Sequence, residues 1–397
     1  MGQCESAVSD TRLAETELEI IKLSGIPLSE LEVSSIYLNI DGDFARTIRC
    51  GNREGETLVL VHGYGGSGLV FYKIMKDLAE HFNLYLVDII GMGASSRPKF
   101  DAKTADEADD YFVNFLETWR QKVELDNFYL AEHSFGGYVC GQYACKYPQH
   151  LKKLLMLSPA GVVHVAPDFD ISQMTFKNGK KPGKLLKSIA KSVWEKKWSP
   201  FGIMRGAGQC MGKKIIKSYL NKRMSSLPKD EFDAMLNYMH QILMREGSTE
   251  YAIFICFKLG MFAHNALEVE SRLGNPDFPI PISFYYGDID WMDPKGGQRT
   301  IERNKFFADG VSQLYMITNS DHHMYLDNPD EFVQQIVQDI YMTEEKLYKK
   351  DVNSLNNRVS VQLGNPMRGL SLKDDSNILI DEDTDHEEAK QKEMLSL

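Results

Sequence analysis

The stretch Asn127-Phe-Tyr-Leu-Ala-Glu132-His133-Ser134-Phe135-Gly136-Gly137-Tyr138 constrains this chain more than any other. An apolar run, Phe128 to Ala131, stops at Glu132-His133-Ser134. Two glycines then lead into Tyr138-Val139-Cys140-Gly141-Gln142-Tyr143-Ala144, which reads as a helix with small residues packed on a sheet. A serine on so sharp a strand-to-helix turn has its hydroxyl held clear of the backbone, and the helix N-terminus behind it favours developing negative charge. Ser134 is therefore a candidate nucleophile; the competing reading is an ordinary helix cap. Such an elbow usually reads G-x-S-x-G, and Glu132 stands here in place of the first glycine. A side chain of that size is expected to crowd the turn unless it reaches solvent or a cation.

Around this stretch lie further strand-like runs. Ile36, Leu38 and Ile40 alternate ahead of the turn Asp41-Gly42-Asp43, and Phe44 to Ile48 returns. Leu58 to Val61 leads into His62-Gly63-Tyr64-Gly65-Gly66-Ser67-Gly68. Glycines in that loop let backbone N–H groups face a pocket, so the amides of Tyr64 and Phe135 are candidate oxyanion donors. The loop has neither the G-K-[S/T] ending of a phosphate loop nor dinucleotide spacing, and no cofactor or metal is expected. Leu84 to Val87 ends at Asp88, and Asp88 with Arg97 is expected to fix loops. Leu154 to Leu157, Ile282 to Tyr286 and Gln313 to Thr318 complete the series.

Acids follow the second of these, Asp290 and Asp293, and histidines follow the third, His322 and His323. Serine, acid and histidine thus occur in the chain order of an α/β-hydrolase, each where a strand delivers its C-terminal end. The expected architecture is a mostly parallel central sheet flanked by helices, with a helical cap inserted between its halves. A serine hydroxyl needs an imidazole to take its proton, and that imidazole needs a carboxylate to fix its tautomer. His322 directly follows a strand and is chosen; His323 is one residue off, and His133 is expected to pack in the elbow. Asp290 is the chosen acid and Asp293 the alternate. Asp327 lies five residues beyond His322, in an H-x4-D spacing, and equally reads as an acid at a helix start before Asn328-Pro329-Asp330-Glu331.

Glu117-Thr-Trp119-Arg120, Lys146-Tyr147-Pro148, Trp291-Met292-Asp293 and His322-His323-Met-Tyr-Leu-Asp327 resemble one branch of that superfamily, the α/β-hydrolase domain-containing protein 4 and 5 group with its plant and fungal relatives. The resemblance covers about residues 55–165 and 250–345. It implies acyl-ester chemistry on phospholipid or lysophospholipid, because the group includes N-acylphosphatidylethanolamine and lysophospholipid lipases and a cardiolipin deacylase. It also holds a lipase coactivator reported to acylate lysophosphatidate, which implies acyltransfer through His322 and Asp327, or a lipase partner, as alternatives. Ser134 falls where the lipase members keep serine and the animal coactivator has asparagine. Asp293 aligns with the aspartate that the nearer relatives keep, and Glu132 departs from the group's glycine.

The 397 residues, 43% of them hydrophobic, divide into an N-terminal spacer (1–30), two halves of the hydrolase core (31–161 and 276–345), a basic helical cap (162–275) and a disordered acidic tail (346–397). A net charge of −11 excludes a nucleic-acid binder by charge. The charge is uneven: from Lys177 to Arg223 fourteen basic residues face one acid, Glu195. Within that run Leu185, Leu186, Ile189, Ala190, Val193, Trp194 and Trp198 recur among Lys184, Lys187 and Lys191. Such a helix either reads an anionic membrane surface or turns its apolar side to the core. Met1-Gly2-Gln3-Cys4-Glu5-Ser6 fits N-myristoylation at Gly2 with Cys4 open to palmitate. Six cysteines without disulfide spacing read as reduced. The chain is expected in the cytoplasm, attached peripherally to a membrane such as a lipid droplet or endomembrane surface.

Overall fold

The sheet is built from β1 (Glu32–Tyr37), β2 (Phe44–Gly51), β3 (Thr57–Val61), β4 (Asn83–Val87), β5 (Phe128–His133), β6 (Leu151–Leu157), β7 (Ile282–Gly287) and β8 (Leu314–Ile317). Their spatial order is β1-β2-β4-β3-β5-β6-β7-β8. β2 pairs antiparallel with β1 and β4, and every later pairing is parallel. This computed structural model describes residues 8–166, 169 and 183–363. Residues to Lys346 form one unit and those from Leu347 a second.

Parallel strands covered on both faces carry apolar side chains on both. Along β3 and β5, Leu58, Leu60, Tyr129 and Ala131 turn to one core, which includes the helix Tyr72–His81. Val59, Val61, Phe128 and Leu130 turn to the other, under the helices Ala105–Lys122 and Phe135–Lys146. Between β6 and β7 the helices Lys184–Glu195, Pro200–Gly206, Gln209–Arg223 and Lys229–Leu243 form the cap. Beyond them Cys256, Phe257, Leu267, Leu273 and Phe278 join the second core, so the latter part of the expected cap packs as core.

Three expectations are corrected here. The segment expected as a spacer carries a helix, Asp10–Leu23, capped by the Ser9 hydroxyl, which accepts the Arg12 N–H at 3.2 Å. Leu13, Ile20 and Ile21 are buried, whereas Leu18 and Leu23 are exposed. The buried stripe also holds Glu17, whose charge hides the periodicity in the sequence and is met by a two-pronged ion pair with Arg46 of β2. Toward the other end, the helix beginning at Pro329 runs to Leu363, past the expected boundary at 345. No glycine or proline interrupts the chain between Pro329 and Gly364-Asn365-Pro366, so no stop signal precedes that point. Finally, Cys50, Cys140, Cys145 and Cys256 are free thiols, but Cys210 is disulfide-bonded. Gly2 and Cys4 lie outside the described residues, as does the chain after Leu363.

Candidate active site

β5 delivers Ser134 in a left-handed conformation (φ 56°, ψ −114°), and the helix Phe135–Lys146 starts at the next residue. This turn needs close approach on two sides. A Cβ on Gly136 would strike the His62 carbonyl, and one on Gly137 would lie 2.6 Å from Pro159 Cβ. Ser134 N–H donates to Leu157 O at 3.1 Å, and Ser134 O accepts from Ala160 at 2.8 Å, tying the elbow to the end of β6.

His322, in the loop after β8, places Nε2 3.0 Å from Ser134 Oγ. Its Nδ1 lies 3.3 Å from Asp290 Oδ1. Burial pushes the Asp290 carboxyl up, but His322, the Met292 N–H and the Ser158 hydroxyl together hold it below its ordinary value. Asp293 takes no part: it accepts the Lys295 N–H at 3.0 Å, at the start of the helix Lys295–Arg303. Ser158, absent from the sequence reading, donates to Asp290 and lies 2.9 Å from His322 Nδ1. It is fully buried with φ 45°. The available signal was its position, the first residue after β6, where this topology gathers functional groups.

His133 packs in the elbow as expected, with Nε2 2.9 Å from the His322 carbonyl. Since a carbonyl only accepts, His133 carries its proton there, and Tyr325 OH donates to Nδ1 at 3.3 Å. Burial, then the neighbouring His322 and His323, hold His133 well below its usual value. His323 stacks on Tyr325 with an interplanar angle of 14°, and burial pushes it down to about 3. Asp327 neither reaches Ser134 nor caps the last helix. Its carboxylate accepts the Asp321 N–H at 3.0 Å and the Ser226 hydroxyl at 2.7 Å, bracing the His322 loop against the cap.

Glu132 reaches neither solvent nor a cation. It sits fully buried on β5 between Val61 and Met156, with no hydrogen-bond partner on either carboxylate oxygen. Burial, with no partner to offset it, raises its pKa well above the ordinary value and favours the neutral carboxyl. The turn accommodates it because its side chain points under the elbow helix, on the face shared with Leu130, rather than into the turn itself.

The glycine loop opposite is held by His62, fully buried and pushed down by burial to about 4. Its Nε2 accepts the Ile89 N–H at 2.9 Å, so Nδ1 donates to Gly63 O at 2.7 Å. Asp88 fixes loops as expected, accepting from Gly68 and from Ala94 at 2.7 Å, and Arg97 donates to three carbonyls of the same loop and to Ile242 O of the cap at 3.2 Å.

A model described as the alpha/beta hydrolase fold matches residues 56–189. A probable 1-acylglycerol-3-phosphate O-acyltransferase of Oryza sativa is 30% identical over 73% of this chain and 68% of its own length. The chain belongs to the α/β-hydrolase family. Within it the relatives place the chain in the domain-containing protein 4 and 5 group. They include the abhydrolase domain-containing protein abhd-5.2 of Caenorhabditis elegans (26% identical; 82% of this chain, 69% of that one) and the human (lyso)-N-acylphosphatidylethanolamine lipase (26%; 72% and 79%). Among solved structures, a bacterial membrane phospholipase A (TM-score 0.58, 17% identical, 84% and 92% covered) and the naproxen esterase of Bacillus subtilis (0.55, 17%, 84% and 99%) share the fold.

In this chain Ser134, Tyr64, Phe135 and His322 line one cavity of about 160 Å³. Its other walls are largely apolar, with Val70, Met224, Met239, Leu243 and Ile253 among them. The cap is seated on the loop: Tyr64 stacks on Phe201 at 5.0 Å and donates its hydroxyl to Glu250 O at 3.0 Å, while Glu250 pairs with Arg205 at 2.6 Å. Of the residues expected at a membrane, Trp194 turns inward onto Phe254 at 4.9 Å, Trp198 is 54% exposed, Lys191 is exposed and Lys187 half-buried. The side chain of Lys184 lies outside the described residues. No described helix of the chain is long and apolar enough to cross a membrane.

Proposed function

We propose that this chain is a membrane-associated serine hydrolase that cleaves acyl esters of glycerophospholipids or lysophospholipids through an acyl-enzyme. One observation carries the reading: His322 Nε2 lies 3.0 Å from Ser134 Oγ with Asp290 behind the ring. Ser134 attacks the ester carbonyl as its proton passes to His322 Nε2, and Asp290 stabilises the imidazolium. The oxyanion is met by the N–H groups of Tyr64 and Phe135. A trans peptide points its C=O and N–H in opposite directions, so His62, by holding Gly63 O, turns the Tyr64 N–H away from the buried side. Phe135 opens its helix, where N–H groups have no partner within the helix. His322 then protonates the leaving alcohol, and a water that it deprotonates releases the fatty acid from Ser134. The apolar cavity walls and the lipase names of the relatives support a lipid acyl group as substrate.

A second reading is favoured by the acyltransferase names of other relatives. The same acyl-enzyme could pass its acyl group to the hydroxyl of lysophosphatidate instead of water. Asp327, as a brace of the His322 loop, would serve either outcome. A non-catalytic coactivator is the third possibility. Labelling with a fluorophosphonate separates these: wild type should label, while Ser134→Ala and His322→Ala should not and His323→Ala should label at near wild-type rate. An unlabelled wild type of intact fold would leave the coactivator reading, and adding lysophosphatidate to labelling-competent enzyme with a radiolabelled acyl donor would distinguish transfer from hydrolysis.

A further inference from the structure

Arg223 is the one permanently charged side chain among the described residues lining the Ser134 cavity. It ends the helix Gln209–Arg223, where a cation suits the helix dipole, yet Lys222 beside it already supplies that charge from an exposed position. Arg223 instead lays its guanidinium over Trp291, 5.6 Å from the ring centroid, and the Trp291 ring lies 5.2 Å from that of His322. Two other arginines of the cap region have carboxylate partners: Arg205 pairs with Glu250 and Arg245 with Asp10. Among the described residues no ion pair or hydrogen bond occupies Arg223.

A guanidinium oriented on an aromatic face, with its fork of donors unspent, matches the oxygens of a phosphate bidentately. The apolar wall beside it, Met224, Met239 and Leu243, suits an alkyl chain. A lysophospholipid carries a partner for each of these features: an acyl chain, an ester carbonyl and, across a three-carbon glycerol, a phosphate. We infer that Arg223, held on Trp291, binds the phosphate of the glycerophospholipid and thereby selects phosphate-bearing esters over neutral glycerides. This rests on the ester-hydrolase reading for its kinetic consequence but not for binding.

The test has two arms on the full-length protein. In the first, turnover of a lysophosphatidate and of the monoacylglycerol with the same chain is compared for wild type, Arg223→Gln and Arg223→Lys. For Arg223→Gln the KM for lysophosphatidate should rise about ten- to hundredfold at little changed kcat, with a much smaller change for the monoacylglycerol. Arg223→Lys should fall between, keeping charge but losing the fork. Equal losses on both substrates, or none on either, overturn the assignment. In the second arm calorimetry follows lysophosphatidate binding to Ser134→Ala with and without Arg223→Gln, which needs no turnover. A matching loss of affinity there sustains the site even if no ester is hydrolysed; unchanged affinity overturns it. Inorganic phosphate and glycerol 3-phosphate should compete only weakly. Either binding as tightly as lysophosphatidate would mean a free-phosphate site and sink the lipid assignment.

Discussion

Ser158 stands behind the imidazole of His322, donating its hydroxyl to Asp290 while lying 2.9 Å from Nδ1. Asp290 remains 3.3 Å from the same nitrogen, so the carboxylate holds the ring both directly and through Ser158. Replacing the carboxylate removes charge and tautomer control together; replacing the hydroxyl removes only one of two supports. Asp290→Asn should therefore lower kcat by roughly 10⁴, whereas Ser158→Ala should cost about tenfold, one modest hydrogen bond's worth. Asp293→Asn should leave kcat near wild type, because Asp293 only opens a helix. Steady-state kinetics on one soluble ester decide it: a larger loss at Asp293 than at Asp290 would reverse the assignment of the acid.

Glu132 is buried without a partner, and burial raises its pKa well above the ordinary value. A carboxyl whose folded pKa lies above its unfolded one binds a proton on folding. Its contribution is therefore intact below the unfolded value, about 4.3, and is lost as pH rises through the folded one. Glu132→Met keeps the volume and removes the ionisation. It should raise stability by about 1–3 kcal/mol near pH 8, and the gain should shrink toward pH 4. Denaturant melts at both pH values check the slope; a variant less stable than wild type at pH 8 would show that the carboxyl has a partner in the folded protein. Glu132→Gly should leave activity equal or higher.

The helix Asp10–Leu23 is packed structure and should behave as such. Ile20 is fully buried, so Ile20→Ala should cost about 2–5 kcal/mol. Arg46→Met strands Glu17, only 4% exposed, and should cost about 3 kcal/mol. Leu18→Ala, on the exposed side, should be nearly silent. Chemical denaturation of the three variants is sufficient, and equal melts for Ile20→Ala and Leu18→Ala would restore the spacer reading.

What the sequence made legible was whatever depends on strand ends. Ser134, Asp290 and His322 each follow a continuous apolar run, so their convergence could be read from chain order. Ser158 follows such a run too but carries no motif, and a buried serine beside a proline attracts no notice until the imidazole is found against it. The N-terminal helix was misread because its core-facing stripe contains Glu17, a charge that only Arg46, far along the chain, makes tolerable. Glu132 was read correctly as a departure but not in its consequence: strand alternation alone puts it on the Leu130 face, beneath the helix, away from both solvent and cations.

The two tryptophans of the cap should now behave differently at a membrane. Trp194 packs on Phe254, so Trp194→Ala should lower thermal stability and leave membrane binding largely as it was. Trp198 is 54% exposed with the Lys196 ammonium 5.1 Å over its ring, and Ile189, Ile203 and Met211 of the cap are also at least half exposed. An apolar set of this kind among lysines suits the headgroup boundary of an anionic bilayer, where each lysine contributes about 1 kcal/mol near the surface. Co-sedimentation of the unlipidated protein with vesicles should increase with anionic lipid, fall with salt over a Debye length's screening, and weaken in Trp198→Ala. The acidic residues from Asp374 to Glu393 are complementary to this basic surface, so deletion of 370–397 should strengthen binding. Binding that ignores lipid charge would make the cap a lid alone, and an unchanged response on deletion would leave the tail without part in it.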